Sequence, residues 1–455
     1  MKLKETLLRT PLKDMFYWTY KVKKEEKYHR EFEKRIKELK RQNLNFDISD
    51  RVNVLIVVAD CLRFKNTSLS EYERDTTPFL ASLKRSGKAM AAAPWTHPSV
   101  ASLMTGLYPH NHGAYITSKL RNFDNPKDFR AIRKGILTLP EIAALNDYNV
   151  YFATSIDVAS FPLRGRAPLR LYPAETSGEK IIKDFLKWLV DHGENFFAYL
   201  HLGDTHEPLL PPKMFKNYFG EVKKLKNIER WAFQRPEEQH GREFEEFKEN
   251  KVLLYDNTIR YVDHLFESIH KSLEEMGLLG NTIVFFTGDH GEEFWEHAKI
   301  EAKNFYDPRG IYGVGHGHNV FNEIIEVPLA VDGWTEKLRG DERSLVDLFP
   351  TILKTWGGEV PYPLDGRSLD KKPTRFRLSE AVGYGYEKKA FRIKNMKLLY
   401  APDDDVEWIF LLDKDKGERK PIIREELTGL LKKRLLSLLA RDEVRIKLRG
   451  WNHGG

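Results

Sequence analysis

Cysteine is all but absent. With Cys61 alone in 455 residues, no disulfide can form within the chain, so the fold must rest on its core. Long apolar runs are missing too: the longest, such as Val54 to Ala59, are strand-sized and too short to span a bilayer. No leader pattern of basic start, apolar stretch and small-residue cleavage site is found, and a soluble, cytoplasmic protein is the expectation. Glutamine occurs only at 42, 234 and 239 while 31% of residues are charged, a balance that leans towards a thermophilic source. Internal repeats and low-complexity tracts are also absent, which excludes solenoid and fibrous architectures.

What is present is a chain of 41% hydrophobic residues, enough to bury a sizeable core in one large domain with a smaller companion. The net charge of +7 is confined to the start: residues 1–45 hold 14 Lys or Arg against 7 Asp or Glu, and the rest balances. Thr10-Pro11 reads as a helix cap, followed by Leu12, Met15, Phe16 and Tyr20 at helical spacing and then a charge-laced helix to Arg41, with Glu26-Arg30 and Glu31-Arg35 as i,i+4 pairs. This basic arm, residues 1–50, is read first as a solvated helix strapped to the main domain. The second reading is a helix at an acidic membrane surface, kept open by Trp18 and the tyrosines. No nucleic-acid partner is expected.

At Asn53 the texture changes. "NVLIVVAD", "NVYFATS", "NFFAYLHLGD" and "NTIVFFTGDHG" are continuous apolar runs, as strands buried on both faces of a sheet require, and helical stretches such as 179–190 and 251–276 lie between them. That alternation predicts an α/β fold with a mostly parallel central sheet over residues 51–370. Residues 208–250 read as a charged surface excursion. Beyond them, 371–455 predicts a small C-terminal antiparallel subdomain with a closing helix. Ligands in such sheets sit beyond the carboxyl ends of the strands, where Asp60, Asp204 and Asp289 all fall.

Asp289 and His290 are neighbours, so both reach one ion only if the strand has already bent, and Gly291 supports a bend there. With Asp60 they supply oxygen and nitrogen ligands for a divalent cation, and Mn, Zn, Mg and Ca all suit that set. "LHLGDTHEP" adds His201, Asp204 and His206, and "GHGH" adds His316 and His318. Thr96, in "WTHPSVASLM", is an ordinary helix cap when read alone. A hydroxyl beside a divalent cation is equally a nucleophile.

Taken in order, "NVLIVVADCLR", "THPSVASLMTGLYPHNHG", "LHLGDTHEPLLPP", "YDNTIRYVDHLFESI", "FFTGDHGEEFWEH" and "GHGHNVFNEIIEVPL" resemble the sulfatase family of the alkaline phosphatase superfamily, over roughly residues 52–420. The resemblance implies an alkaline-phosphatase-like sandwich and one divalent metal held by Asp60, Asp289, His290 and Thr96, with Thr96 as covalent nucleophile. It further implies His206 as leaving-group acid and substrate contact, His316 at a substrate-binding position, and His318 beside it. A second metal on Asp204, His206 and His316 or His318 is the alternative geometry. His112 and Asp263 match family positions of structural character, while His110 does not match.

Two departures bear on activity. Sulfate-cleaving members carry Cys or Ser, oxidised to formylglycine, and an Arg four residues on; here Thr96 and Val100 occupy those positions. Cys61 stands where many members have a second Asp. Threonine is the nucleophile in the superfamily's phosphodiesterases and in its phosphoethanolamine and lipoteichoic-acid transferases. The expectation is therefore a metal-dependent phosphodiesterase or phosphotransferase working through a phospho-Thr96 intermediate, on a phosphate ester that is lipid- or glycan-linked if the arm binds a membrane. Sulfuric ester hydrolysis is the alternative, and a catalytically degenerate binding protein the second alternative.

Overall fold

The computed structural model describes residues 11–42, 48–123, 128–333, 343–360, 362–374 and 376–450, with side chains from residue 22 onward. Thr10 and the side chain of Trp18 lie outside the described residues. The arm forms one helix, α1 (Pro11–Arg41). It is strapped to the main domain: Tyr28, Phe32 and Leu39 are buried, Arg35 donates to the buried Glu141 at 2.9 Å, and Glu25 accepts the Leu171 amide at 2.6 Å. Glu26 and Arg30 pair at 3.7 Å as expected, but Arg35 is taken by Glu141, and Glu31 pairs with Lys27 instead. Among the described residues no helix is long and apolar enough to cross a membrane.

Eight strands form the central sheet: β1 (Asn53–Ala59), β2 (Ser86–Met90), β3 (Asn149–Thr154), β4 (Leu169–Leu171), β5 (Phe196–Leu202), β6 (Thr282–Gly288), β9 (Glu326–Asp332) and β10 (Arg343–Ser344). A separate short ribbon pairs β7 (Glu293–Phe294) with β8 (Val314–Gly315). The sheet order is β10-β2-β9-β6-β1-β5-β3-β4; β3, β4, β5, β1 and β6 run parallel, and β9 runs antiparallel to both its neighbours. Alternation puts Val54, Ile56 and Val58 into the core on one face and Leu55, Val57 and Ala59 into the core on the other. Each fully buried side chain of this kind contributes roughly 1.5–3 kcal/mol, which is why β1 reads as an unbroken apolar run.

Helices α2 (Thr96–Thr105), α3 (Gly178–His192) and α4 (Gly241–Glu275) cover the sheet. Ile181, Ile182, Phe185 and Leu189 turn one stripe of α3 inward, and Ser177 caps it by accepting the Glu179 amide. The α4 helix starts ten residues before the expected 251, because Phe244 and Phe247 bury themselves in an otherwise charged stretch. A four-stranded antiparallel sheet, β11 (Arg377–Ser379), β12 (Lys389–Ile393), β13 (Met396–Ala401) and β14 (Val406–Leu411), follows with α5 (Glu425–Leu448), whose Leu431, Leu435 and Leu438 pack beneath it. The expected α/β architecture and antiparallel companion are both present. The register that matters for the site is Ala59 beside Leu202 and Gly288, which brings the ends of β1, β5 and β6 level.

Candidate active site

Level strand ends place Asp60 and Asp289 together. Asp60 leaves β1 with its amide bonded to the Leu202 carbonyl at 2.9 Å, and Cys61 then takes a left-handed backbone (φ 59°) that swings the chain aside. After β6, Gly291 is required by close approach: a Cβ there would lie 2.1 Å from the Glu323 carbonyl, while its amide donates to Ile324 at 2.7 Å. Ser99 Oγ donates to the Asp289 carbonyl at 2.6 Å and ties this bend to α2.

Thr96 is the first residue of α2, and the N-cap is the extended Trp95, with no side-chain cap present. The Thr96 hydroxyl faces the strand ends instead, 3.3 Å from Asp60 Oδ2 and 3.2 Å from His290 Nε2. His290 donates from Nδ1 to the Gly291 carbonyl at 2.9 Å, which leaves Nε2 as a lone pair aimed at Asp289 Oδ2 (3.4 Å) and Asp60 Oδ1 (3.6 Å). A lone pair facing two carboxylates is repulsive unless a cation lies between them. Asp289 Oδ2 is moreover buried without a hydrogen-bond partner. The donor set of Asp60, Asp289, His290 and Thr96 therefore fits a divalent cation on this chain's own geometry.

A further imidazole closes the cluster. His201, fully buried on β5, donates from Nε2 to Asp60 Oδ2 at 2.9 Å, lies 3.9 Å from Asp289 Oδ2, and accepts the Tyr199 hydroxyl at 2.7 Å. Burial opposes the charge on Asp60, but the His201 hydrogen bond and the nearby His206 outweigh it and hold the carboxyl well below its usual range. Asp289 is shifted the other way, upward, by burial and by the Asp60 charge, and burial lowers His290.

The cluster opens into a cavity of about 530 Å³ lined by Thr96, His206, Glu292 and His316, with Trp95, Phe123, Trp231 and Tyr384 as aromatic walls. His206 donates from Nδ1 to the Glu207 carbonyl at 2.7 Å; burial would lower its pKa, but Asp60 and Glu292 raise it. His316 Nδ1 lies 3.0 Å from the buried Glu292 Oε1. Cys61 donates its thiol to Asp60 Oδ1 at 2.9 Å and sits 3.4 Å from His316 Nδ1. Glu207 is neutralised by the buried Lys251. Among the described residues Arg309 is the only Arg or Lys on the cavity wall, stacked 3.4 Å over the Tyr384 ring and held by Asp307.

The structure thus brings together Asp60, Thr96, Asp289, His290, His206 and His316. It does not bring in His318 or Asp204. His318 is buried outside the cavity beside Glu293 and Glu301, and Asp204 accepts the Gly178 amide at 2.9 Å at the start of α3. The alternative second-metal set that used Asp204 is therefore not assembled. Val100 lies wholly within the hydrophobic core. His112 bonds Ser102 (2.9 Å) and the Ala114 amide (3.0 Å), and Asp263 accepts the Phe79 and Leu80 amides, so both are structural. Sequence reasoning gave no role to His201 or Glu292. Their signals were present: His201 keeps the alternation of β5 with Tyr199, and Glu292 lies two residues past His290.

A family model described as Sulfatase matches residues 52–358. Among curated proteins, the chain is 26% identical over 323 residues to the low-salt glycan biosynthesis sulfotransferase Agl7 of Haloferax volcanii, a match covering 70% of this chain and 64% of that relative's length. Among solved structures, it is similar to BT1596, a 2-O GAG sulfatase, at 17% identity and TM-score 0.63 over 89% of this chain and 95% of that one. It is also similar to the phosphonate monoester hydrolase of Agrobacterium radiobacter, at 16% identity and TM-score 0.62 over 86% and 96%. These structural likenesses share the alkaline-phosphatase-like α/β fold.

Proposed function

The chain belongs to the sulfatase family of hydrolases and transferases, and within it we propose an enzyme that moves the sulfuryl or phosphoryl group of an ester through a covalent Thr96 intermediate. The observation that carries this is the aim of the Thr96 hydroxyl, turned from the helix amides towards Asp60 and His290. A divalent cation on Asp60, Asp289 and His290 would make that hydroxyl more acidic and offset charge on the ester's oxygens.

The chain's own groups do the rest. Thr96 Oγ1 gives up its hydroxyl proton to solvent in the cavity and then bonds to sulfur or phosphorus as the bond to the ester alcohol breaks. His206, its Nδ1 tied to the Glu207 carbonyl, gives the departing alcohol a proton from Nε2. Water or an acceptor hydroxyl then displaces Thr96 Oγ1, His206 takes the proton of the incoming group, and the freed Thr96 oxygen regains its own proton from solvent. His316, oriented by Glu292, faces the same space as a donor to the transferring group.

The names of the relatives favour sulfur, so a sulfate ester is the first reading, and the first relative's name supports a glycan as its bearer. A phosphate ester is the second, favoured by Thr96 and Val100 where formylglycine chemistry requires other residues, and supported by the phosphonate hydrolase neighbour. Incubation with aryl sulfate and with aryl phosphate, each radiolabelled in the transferable group, followed by acid quench and peptide mapping, separates the two. Label on the Thr96 peptide from only one donor identifies the element. An active enzyme that labels from neither refutes the Thr96 intermediate.

A further inference from the structure

The ribbon that presents Glu292 and His316 to the cavity has a second face. Glu293 follows Glu292 in extended chain and points the opposite way. His318 lies on that side as well, because Gly317 takes a left-handed backbone (φ 79°) between the two histidines. There His318 Nε2 is 3.3 Å from Glu293 Oε2 and 3.2 Å from Glu301 Oε2, Glu301 standing on the helix Ala298–Asn304. All three side chains are at most 5% exposed, and the three ligand atoms lie within 4.8 Å of one another.

The spacing is the telling feature. A charge-assisted N-H to carboxylate bond closes to about 2.7–2.9 Å and points at one acceptor. Here one nitrogen faces two carboxylate oxygens, both further off and nearly equidistant. Ligands at about 2.0–2.1 Å around a tetrahedral ion stand about 3.3 Å apart, which is the separation found.

The surrounding groups hold these ligands as outer partners would. Glu293 Oε1 accepts the His297 amide at 2.8 Å and lies 3.2 Å from His297 Nδ1. Glu301 accepts Asn319 Nδ2 at 2.9 Å and the Gly313 amide at 2.6 Å. Two buried atoms beside this network lack any hydrogen-bond partner, His318 Nδ1 and Glu323 Oε2, the latter 3.8 Å from His297 Nδ1.

We propose that Glu293, Glu301 and His318 hold a second, structural divalent cation, with zinc the best fit to one imidazole and two carboxylates, distinct from the ion at Thr96. Binding exchanges the proton on His318 Nε2 for the ion and leaves two carboxylates and a neutral imidazole around a dication. The ion would pin the β7-β8 ribbon from behind and so fix Glu292 and His316 at the cavity.

The test is zinc stoichiometry by plasma mass spectrometry after stripping and reloading the full chain, on wild type, Asp289→Asn, His318→Gln and Glu301→Gln. His318→Gln and Glu301→Gln are each expected to lose about one equivalent that Asp289→Asn keeps, and chelation should lower the Tm of Asp289→Asn but not of the double variant Asp289→Asn/His318→Gln, which lacks both sites. Zinc content in both cluster variants equal to wild type, or none in Asp289→Asn, overturns the proposal. If the cluster variants do not fold, cobalt loaded into Asp289→Asn decides: intense tetrahedral d-d absorption supports the site, and its absence removes it.

Discussion

Replacing Thr96 by valine separates the two roles open to this residue. Valine keeps the branched shape and removes only the hydroxyl, whose contacts are Asp60 Oδ2 at 3.3 Å and His290 Nε2 at 3.2 Å. Those separations are long for an O-H donor and are worth less than about 1 kcal/mol, partly offset by burying a methyl group. Unfolding entropy of about 2.1 cal/mol/K per residue over 455 residues gives about 1 kcal/mol per degree, so Tm should move by about 1 °C or less. Turnover should respond very differently. Without the attacking atom only binding and electrostatics remain, and kcat is expected to fall at least 10³-fold, about 4 kcal/mol of barrier. Thr96→Ser, which keeps the oxygen, should stay within about 10-fold of wild type. The assay pairs initial rates on p-nitrophenyl sulfate, p-nitrophenyl phosphate and bis(p-nitrophenyl) phosphate, with divalent metal supplied, and scanning calorimetry. A Thr96→Val enzyme that retains more than about a tenth of wild-type turnover while melting several degrees lower would mean that the hydroxyl supports the helix, and the mechanism above would fall.

Three further perturbations probe neighbouring links. Asp289→Asn removes the partnerless carboxylate oxygen and should abolish metal-stimulated turnover while leaving the fold intact by circular dichroism; metal stimulation equal to wild type would exclude Asp289 as a ligand. His206 must be protonated to act as an acid, and Asp60 and Glu292 overcome its burial to raise its pKa. Activity should therefore persist above the ordinary histidine range, then fall as pH rises through that raised value, and His206→Gln should lose this alkaline limb and penalise poor leaving groups most. An unchanged pH profile in the variant argues against the role. His110 is part-buried, and its loss of solvent alone would lower its pKa, but the Glu380 charge and an Asp442 hydrogen bond raise it to about 9. Its folded value exceeds the unfolded 6.5, so roughly 3 kcal/mol of stability is present below pH 6.5 and lost as pH climbs through 9. Urea unfolding of His110→Gln should show that deficit at pH 6 and little of it at pH 10.

The sheet was legible because burial on both faces makes β1, β5 and β6 almost wholly apolar, with His201 on β5 the exception that the site uses, and their runs end where the chain meets the site. Asp60, Asp289 and His290 could be grouped for that reason. What stayed hidden depends on backbone turns that side-chain periodicity does not encode. His316 and His318 are two residues apart, which in an extended strand would put both on one face; the left-handed Gly317 between them sends one to the cavity and the other behind the ribbon. Asp204 and His206 share the same spacing, yet the chain has already turned at Gly203, and Asp204 is spent on the first amide of α3. The start of α4 was hidden differently, since two phenylalanines in a charged stretch bury enough to extend a helix but give too little pattern to announce it.

Thr96 and Val100 are one helical turn apart, so residue 100 lies beneath residue 96 on the same face of α2. That face is turned inward. Val100 is fully buried in the cluster that includes Ile56, Val58 and Leu103. An arginine at 100 would have to ionise inside this cluster or displace it, at a cost of several kcal/mol unless paired. The departure from the sulfate-cleaving pattern is thus built into the core packing rather than being one missing side chain. Charge on the transferring group must then be met from elsewhere in the cavity: by the cation that Asp60, Asp289 and His290 are arranged to hold, and by His206 and His316, with Arg309 fixed on Tyr384 further along the wall. A site so equipped would meet a tetrahedral oxyanion with imidazoles and a cation, features that suit sulfur and phosphorus esters alike. The nucleophile's label therefore discriminates between them where the wall residues do not.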